Sequence, residues 1–356
     1  MSDMIIRSTL KEYGVNFVVD FAVPLKQAAE DGAFVICDRT VFDLYEERIR
    51  SAVVQERCLV IEATETAKTL EKCKDIIEIL VDRKVRRNNK LIALGGGVIQ
   101  DVTAFIASIL YRGIGWLFFP TTLLAQGDSC IGSKTSINLG NKKNLLGNFY
   151  PPDTIFIDPV FLESLDVVDI QSGVGEMLHF YYYANSPLIP KLINNYKAVI
   201  ADRSLLKEYT QESLAIKKSV IEIDEFDKGE RNKFNYGHTF GHALETITEY
   251  GIRHGQAVTV GMDLANYLSR DIGLLTQEQF DEMHAQLSVN FPEYDFNSCE
   301  MDLYFNALSK DKKNIGNNLG CILSEGPGKL IRQQIPFDDV LKDNIRSYFT
   351  AGLYRA

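Results

Sequence analysis

Short apolar runs alternate with longer amphipathic segments along the first part of the chain. The runs NFVVD, AFVICD, CLVIEA, LIALGG, GWLFFP and TIFIDP are typical of strands. The segments TLEKCKDIIEILVDRKV and VIQDVTAFIASIL have the helical period. Because buried apolar strands that alternate with helices form parallel sheets covered on both faces, this pattern predicts an α/β domain with a largely parallel sheet.

The pattern changes after FYPPDTIFIDP. From about Phe161 the helical period dominates, as in ADRSLLKEYTQESLAIKKSVIEIDEFDKG and LANYLSRDIG. The prolines near the change indicate a break between elements. We therefore predict an N-terminal α/β domain of the nucleotide-binding type over residues 1–160 and a mostly α-helical domain over residues 161–356. A cleft between two domains is a usual place for an active site.

The most apolar segment, FIASILYRGIGWLFFP, is interrupted by Arg112 and two glycines. It is too short and too interrupted to span a bilayer. It predicts a buried helix, a turn and a buried strand instead.

Composition narrows the function classes. The 356 residues are 46% hydrophobic and 24% charged, as in ordinary globular proteins. The net charge of −10 argues against nucleic-acid and anionic-membrane partners. The six cysteines form no CxxC pattern and no secretory signal precedes them, so we expect reduced thiols and a cytoplasmic protein.

The segment LIALGGGVIQDV places Gly95, Gly96 and Gly97 between a predicted strand and a predicted helix. Glycines there let a ligand approach the backbone, and a helix N-terminus offers free N–H groups to a pyrophosphate. The spacing differs from GxGxxG, and Asp38 precedes the glycines instead of following them. A nucleotide site and a plain tight turn therefore both stay open.

A second segment, PTTLLAQGDSCIGSKTSINLGNKKNLLGNF, is rich in cations and polar donors. Lys134, Lys142 and Lys143 stand among asparagines, serines and glycines, and Arg112 lies shortly upstream. These donors suit phosphate oxygens, and Asp128 could hold a substrate hydroxyl. We favour anion binding over an ordinary solvated loop.

Histidines cluster in GHTFGHALETITEYGIRHGQAV. His238 and His242 share a helix face at a spacing of four, and His254 follows in a turn-like segment. The segment GVGEMLHF adds Glu176 and His179 as further donors. A catalytic zinc or iron site needs three or four such donors with one position open, so a metal site is predicted, with its ligand set ambiguous from spacing alone.

Together, GGGVIQDVTAF, YRGIGWLFFPTTLLAQGDSCIGSKTSIN, KNLLGNFY, GVGEM and RNKFNYGHTFGHALE with HGQAV resemble the 3-dehydroquinate synthases, members of the wider sugar phosphate cyclase family. The resemblance runs through about residues 94–262 and more faintly to both ends. It implies an NAD-binding α/β domain, a mostly α-helical metal-binding domain carrying Zn²⁺ or Co²⁺, and usually a homodimer. The implied substrate is a phosphorylated sugar or sugar acid that is cyclised with loss of phosphate.

The resemblance also implies residue roles. The metal ligands would be Glu176, His238 and His254. NAD would be held by Asp38, Glu65, Lys68, Gly95, Gly96, Gly97, Asp101, Thr121, Thr122, Lys143 and Phe161. The substrate pocket would contain Asp128, Lys134, Asn144, His179, Lys217, Asp227, Arg231, Asn235 and His242, which would face the phosphate. Lys312 would close over the phosphate, and Arg112 would reach into the partner subunit's site.

Departures from the family pattern leave the substrate open. His179 stands where the family has a pocket lysine, and histidine is mostly uncharged near neutral pH. Asp227 replaces the usual glutamate. Arg231 is kept, and an arginine fork suits a carboxylate, so we favour 3-deoxy-arabino-heptulosonate 7-phosphate. A sedoheptulose 7-phosphate, glucose 6-phosphate or modified acid substrate is the alternative.

Two other classes share some of these features. Polyol dehydrogenases of the glycerol dehydrogenase type combine NAD and a metal in a similar layout, but they need no phosphate ligands, which the GSKTSINLGNKKN loop supplies. A degenerate family member that only binds partners would not need to retain a metal set and a glycine turn. We therefore favour the cyclase.

Overall fold

A computed structural model describes residues 3–140, 142–249 and 251–355 of the chain. It divides into two compact units. The first comprises Met1–Leu165 together with Lys217–Phe226, and the second comprises Asp166–Ile216 together with Asp227–Ala356. The boundary that we predicted at residue 160 lies near the first division. The prediction placed residues 217–226 in the second domain, whereas these residues cluster with the first unit.

The first unit is built on a mixed α/β pattern. Its strands are β1 (Met4–Arg7), β2 (Glu12–Phe17), β3 (Phe34–Asp38), β4 (Cys58–Ile61), β5 (Leu91–Gly95), β6 (Trp116–Pro120), β7 (Ile137–Leu139), β8 (Lys142–Leu146) and β9 (Thr154–Ile157). Its helices are α1 (Ala22–Glu30), α2 (Arg39–Leu44), α3 (Glu46–Ala52), α4 (Leu70–Asp82) and α5 (Gly97–Ile109).

Seven of these strands form one sheet in the order β1-β2-β9-β6-β5-β3-β4. All neighbours pair in parallel except β1 and β2, which are antiparallel at the edge. Strands β5 and β6 are buried along their whole length, which explains their continuous apolar runs. The predicted largely parallel sheet is confirmed.

The apolar segment 105–120 also follows its prediction. Helix α5 is mostly buried, a short turn follows it, and β6 is buried. Tyr111 and Arg112 in this turn have φ of 53° and 67°, and Gly113 has φ of 112°. The chain thus reverses through three consecutive left-handed residues, a conformation that costs free energy in the two that carry a Cβ.

One predicted strand is wrong in its bounds. The apolar run NFVVD predicted a strand over residues 16–20, but β2 spans Glu12–Phe17. Val19 is 99% exposed beyond the strand. The two valines therefore gave a false strand signal, while Tyr13 and Val15 supply the buried positions of β2.

The second unit is mostly helical, as predicted. Its elements are α6 (Val167–Ala184), α7 (Leu188–Asn194), α8 (Tyr196–Ala201), α9 (Leu206–Ile221, the last five residues of which belong to the first unit), α10 (His238–Ile247), α11 (His254–Asp271), α12 (Gln277–Ser288), α13 (Met301–Ser309), β10 (Asn318–Ser324), β11 (Leu330–Pro336) and α14 (Asp339–Thr350). Strands β10 and β11 form an antiparallel hairpin that the periodicity did not predict. No helix in the described ranges is long and apolar enough to cross a membrane.

Helices α6 and α11 touch through bare backbone at two glycines. A Cβ added to Gly175 would overlap the carbonyl oxygen of Gly255, and a Cβ added to Gly255 would overlap the carbonyl oxygen of Ser172. The Gly255 N–H donates to the Ser172 hydroxyl at 3.0 Å. Glycine at both positions is therefore required for this separation of the two helices.

We expect Gly175→Ala to lower the free energy of unfolding by about 1–3 kcal/mol, because the new methyl group must push α6 and α11 apart. Urea unfolding followed by circular dichroism measures this loss. Gly97→Ala is the matched control, since Gly97 is in the first turn of α5 and a Cβ there meets nothing within 4 Å. Equal stability of the Gly175→Ala variant and the wild type would contradict the packing argument.

Candidate active site and metal centre

Three side chains from three helices converge in the second unit. Glu176 lies in the middle of α6, while His238 and His254 are the first residues of α10 and α11. The Nε2 atom of His254 is 3.1 Å from Glu176 Oε1, and the Nε2 atom of His238 is 3.7 Å from Glu176 Oε2. One donor atom from each residue lies within 4.8 Å of the other two. The structure thus brings together the three predicted metal ligands.

Hydrogen bonds determine which imidazole nitrogens face this cluster. His254 Nδ1 is 2.9 Å from Glu245 Oε2, and His238 Nδ1 is 3.2 Å from the Tyr236 carbonyl oxygen. Both partners are acceptors, so each Nδ1 carries a hydrogen and donates it. Nε2 is then the nitrogen of each ring that faces Glu176, and in the neutral form its lone pair is free to bind a metal there, as in metal-binding histidines.

The donor set fits a divalent cation. Glu176 is 2% exposed, and within the described ranges its Oε1 atom has no hydrogen-bond partner, although His254 Nε2 lies 3.1 Å away. Two acceptors at this distance need a proton or a cation between them. Ligands about 2.0–2.2 Å from a tetrahedral ion lie about 3.3 Å apart, close to the observed spacings. One carboxylate and two histidines also leave a coordination position for a substrate.

The electrostatics agree with a site for positive charge. Burial would raise the pKa of Glu176, but the positive charges that His238 and His254 can carry and their hydrogen bonds hold it well below the usual value. Burial would lower the pKa of His254, but Glu176 and Glu245 raise it well above the usual value. The two shifts express one attraction: the buried carboxylate is stabilised by positive charge beside it, which the imidazoles supply by protonation and which a bound cation could supply instead.

His242 lies one turn after His238 but outside the Glu176 cluster. Its ring centroid is 5.4 Å from those of both His238 and His254, and it groups with Glu245 and His254. His242 is exposed, but crowding by neighbouring atoms reduces its hydration, and this, with the charges of His238, His254 and Lys313, lowers its pKa well below the usual value. The helical histidine pair therefore does not supply two ligands to one cluster with Glu176.

His179 is buried beside the same carboxylate. It is 3% exposed, and its Nε2 atom is 3.2 Å from Glu176 Oε2. Its ring centroid is 3.9 Å from that of Phe180 and 5.9 Å from that of Phe234. The residue that replaces the expected pocket lysine thus contacts a candidate metal ligand.

The remaining pocket candidates of the second unit lie around a short 3₁₀ helix, Glu230–Asn235. Arg231 is 5% exposed, and the Asn235 amide donates to the Asn232 carbonyl at 3.0 Å. Asp227 has φ of 59°, and its carbonyl accepts from the Asn232 amide at 3.0 Å. These bonds fix the loop before α10.

The lysine segment SKDKKN offers two candidate phosphate ligands. Lys312 is exposed, whereas Lys313 is half-buried and its Nζ lies 2.7 Å from Asp311 Oδ2. The charge of Lys313 contributes to the lowered pKa of His242. Lys312 stays a prediction, and Lys313 is a second candidate phosphate ligand.

The glycine turn of the first unit has the predicted position. Gly95 ends β5, Gly96 precedes α5, and Gly97 begins the helix. Cβ atoms at Gly95 and Gly96 would meet Ile99 and Thr122, respectively, but one at Gly97 would meet nothing within 4 Å. Space next to Gly97 and the free N–H groups of a helix N-terminus suit a phosphate group.

An ion pair supports this turn. Lys68 is 5% exposed, and its Nζ lies 2.8 Å from Asp101 Oδ2 on α5. Burial raises the pKa of Asp101 to about 6 although the Lys68 charge lowers it. Lys68 also donates to Asn144 Oδ1 at 2.8 Å. The structure therefore joins Asn144, a predicted substrate residue, to the predicted cofactor residues.

The other cofactor candidates have local structural bonds. Asp38 caps α2 by accepting from the Thr40 N–H at 3.0 Å, and Glu65 accepts from the Asn138 amide at 2.8 Å. Thr121 donates its N–H to the Gly95 carbonyl at 3.0 Å. The Thr122 hydroxyl accepts from the Ala125 N–H at 3.2 Å, and Lys143 lies exposed on β8.

Phe161 needs a different assignment. It is 1% exposed, and its ring packs against Phe21 and Tyr45 at centroid distances of 4.6 and 5.2 Å. Its side chain therefore has no surface for a cofactor, and we assign it to the core of the first unit.

The remaining pocket candidates of the first unit are the ion pair of Lys217 with Asp128, and Lys134 and Arg112. Lys217 Nζ lies 2.7 Å from both Asp128 Oδ1 and the Asp128 carbonyl. Lys134 forms an isolated antiparallel bridge with Phe149. Arg112 is exposed in the left-handed turn.

Sequence reasoning missed two residues of the second unit. Glu245 orients His254, and its only signal was its spacing of three from His242 on one helix face. Lys313 was one of three lysines in SKDKKN, and sequence alone could not rank them.

Comparison with known proteins adds the family. Models of the 3-dehydroquinate synthase N-terminal and C-terminal domains match residues 58–172 and 173–314. The chain belongs to the 3-dehydroquinate synthase family. It is 34% identical over 312 residues to the 3-dehydroquinate synthase of Clostridium tetani, covering 87% of this chain and 84% of the relative. It is 33% identical over 346 residues to that of Helicobacter pylori strain HPAG1, covering 96% and 98%.

Solved structures show the same fold. A 2-deoxy-scyllo-inosose synthase in complex with carbaglucose-6-phosphate, NAD⁺ and Co²⁺ has a TM-score of 0.86 at 24% identity, covering 97% of this chain and 98% of that chain. A 2-epi-5-epi-valiolone synthase from Streptomyces hygroscopicus with NAD⁺ and Zn²⁺ has a TM-score of 0.81 at 24% identity, covering 96% of each chain. A glycerol dehydrogenase from Schizosaccharomyces pombe has a lower TM-score of 0.60 at 14% identity, covering 98% and 91%.

We expect Glu245→Ala to weaken zinc affinity about 10–100-fold, because the His254 ring loses the acceptor that fixes its tautomer and orientation. Competition with a chromogenic chelator measures this change. Thr246→Ala is the matched control on the same helix, since Thr246 is exposed and its hydroxyl donates to the His242 carbonyl oxygen, not to a candidate ligand side chain. Equal zinc affinity of the Glu245→Ala variant and the control would contradict the proposed orientation.

Proposed function

We propose that this chain is an NAD- and metal-dependent sugar phosphate cyclase that converts 3-deoxy-arabino-heptulosonate 7-phosphate to a carbocycle with loss of phosphate. The observation that carries the proposal is the buried Glu176 carboxylate faced by the Nε2 atoms of His238 and His254. Family membership supports it, since curated relatives that are 33–34% identical are named 3-dehydroquinate synthase. We also propose a cytoplasmic location, supported by six free cysteines.

NAD and a divalent metal would supply reversible hydride exchange and polarisation of a substrate oxygen. Glu176, His238 and His254 would hold the metal. Gly97 and the N-terminus of α5 would receive the pyrophosphate of NAD. The two related cyclase structures that contain NAD⁺ with Co²⁺ or Zn²⁺ support this pair of cofactors.

Other residues of the chain would position the substrate. Arg231 would bind its carboxylate through a planar fork. His242 and Lys313 would bind its phosphate by hydrogen bonding and charge. Lys217 holds Asp128 in a fixed orientation, so that its carboxylate can accept a hydrogen bond from a substrate hydroxyl. Fixed donors and acceptors of this kind lower the entropic cost of reaching the reactive geometry.

One observation favours a second candidate substrate. His179 stands where the family pattern has a lysine, which removes one permanent positive charge from this part of the chain. Sedoheptulose 7-phosphate or glucose 6-phosphate, which lack the carboxylate, would need fewer cations. The proposal therefore has to be tested against these compounds directly.

A phosphate-release assay with purified protein, NAD and zinc or cobalt decides among the substrates. We expect phosphate release with 3-deoxy-arabino-heptulosonate 7-phosphate and no net accumulation of NADH, because hydride returns to the product. Glu176→Gln should lower the rate at least about 100-fold, since metal polarisation contributes several kcal/mol.

Each other outcome has a definite meaning. Turnover of only sedoheptulose 7-phosphate or glucose 6-phosphate would refute the preferred substrate and keep the cyclase. NADH accumulation without phosphate release would refute the cyclase and support a dehydrogenase of the glycerol dehydrogenase type, which shares the fold.

We further propose a homodimer in which Arg112 completes the site of the partner subunit. The proposal is supported by the exposed position of Arg112 in a strained turn and by the family resemblance. Neither Arg112→Ala nor Glu176→Gln alone should be active. In an equal mixture with exchanged subunits, one site of each heterodimer has all its residues, so about one quarter of wild-type activity should return.

The controls for this mixing experiment are the two variants assayed separately under the same exchange conditions. Sedimentation analysis confirms that the mixture contains dimers. No recovery in a mixture that contains dimers would show that Arg112 acts within its own subunit or not at all.

A further inference from the structure

His179 is held in one orientation beside Glu176. The two residues are three apart on α6, so their side chains lie on the same helix face. His179 is 3% exposed and Glu176 is 2% exposed. The ring of His179 packs against Phe180, Phe234 and His238 at centroid distances of 3.9, 5.9 and 5.2 Å. A buried ring with these neighbours has little rotational freedom.

This orientation directs a donor at the carboxylate. His179 Nε2 lies 3.2 Å from Glu176 Oε2, within hydrogen-bond distance. Because a carboxylate oxygen only accepts, Nε2 must carry the hydrogen. Glu176 Oε1 remains directed at His254 Nε2, from which it is 3.1 Å away.

We propose that His179 is a positioning residue that holds the metal ligand Glu176, and that it does not contact the substrate. The inference rests on the proposed metal site. A hydrogen bond to one carboxylate oxygen restricts rotation of the carboxylate about its terminal bond. The metal then meets a preoriented oxygen instead of ordering it on binding.

The difference from lysine follows from geometry and charge. A lysine at this position would bring a flexible stem and a permanent positive charge that competes with a cation for the carboxylate. The imidazole of His179 donates a hydrogen bond without requiring that charge. The Nε2–H group of His179 is already directed at Glu176 Oε2 and so is not turned toward a substrate. The position therefore changes from a substrate contact in the family pattern to a support for the metal ligand in this chain.

The test compares two substitutions of His179. His179→Phe keeps a planar ring in the apolar surroundings but removes the donor, and we expect zinc affinity about 10–100-fold weaker. His179→Gln keeps an N–H donor of similar reach, and we expect zinc affinity within a few-fold of the wild type. Both are measured by chelator competition, and the visible absorption of bound Co²⁺ should change in the Phe variant and stay the same in the Gln variant.

The matched control is His284→Gln. His284 is in the same unit on α12 and its Nδ1 lies 2.9 Å from Asp263, which is outside the Glu176 cluster. We expect its zinc affinity to stay at the wild-type value. Circular dichroism verifies that every variant is folded. If the Phe variant fails to fold, the Gln variant still tests the inference. A Gln variant that bound zinc as weakly as the Glu245→Ala variant would overturn it.

The outcomes separate this inference from the proposed function. Zinc affinity and Co²⁺ absorption that are unchanged in a folded Phe variant would overturn the inference while an active cyclase stands. Weaker zinc binding in the Phe variant of a protein that cyclises none of the three substrates would support the inference and refute the proposed reaction. A wild-type protein that binds no divalent metal would overturn both.

Discussion

The contact of α6 with α11 through bare backbone is the constraint on which the candidate metal centre depends. Gly175 precedes Glu176, and Gly255 follows His254, so the two glycines that let the helices approach adjoin the two side chains that face each other. A methyl group at either glycine would separate the backbones and with them the carboxylate and the imidazole. The requirement for glycine is thus a packing requirement with a chemical consequence, since it lets Glu176 Oε1 and His254 Nε2 approach to 3.1 Å.

Around this contact, each candidate ligand is oriented by a different kind of partner. His254 is fixed by the Glu245 carboxylate, His238 by the Tyr236 backbone carbonyl, and Glu176 by His179. Only the first partner adds negative charge to the cluster. The backbone carbonyl fixes a tautomer without a formal charge, and the His179 imidazole lies 3.2 Å from Glu176 Oε2. The cluster therefore combines one histidine oriented by a carboxylate, one oriented by a backbone carbonyl, and a carboxylate beside a third imidazole.

The sequence predicted the repeating features well because they depend on local periodicity. The buried runs of β5 and β6 and the helical period of α4, α5 and α9 produced correct elements. The strand predicted at residues 16–20 failed because apolar character alone cannot distinguish a buried valine from the exposed Val19. The return of residues 217–226 to the first unit could not be predicted, since it depends on contacts far apart in the sequence.

For the site, motif spacing indicated which residues converge but not what holds them. The spacing of His238 and His242 on α10 allowed both to bind one cation. The positions of α6 and α11 show that His238, and not His242, groups with Glu176 and His254. Phe161 and Asn144 were assigned by motif, yet packing places the first in the core and hydrogen bonding joins the second to Lys68. Such distinctions depend on side-chain direction, which a one-dimensional pattern does not contain.

An acidic chain that binds an anionic substrate must hold its cations without losing them to neighbouring carboxylates. The structure pairs Lys68 with Asp101, Lys217 with Asp128, and Lys313 with Asp311, at Nζ to oxygen distances of 2.8, 2.7 and 2.7 Å. Each pair fixes a flexible side chain before any ligand arrives. Because the local charge of each pair is near zero, selectivity has to come from directed hydrogen bonds more than from a broad positive field. His179 stands where the family pattern has a lysine, so this chain has one fewer permanent positive charge there. Substrate binding would then depend more on the positions of the donors than on the number of cations.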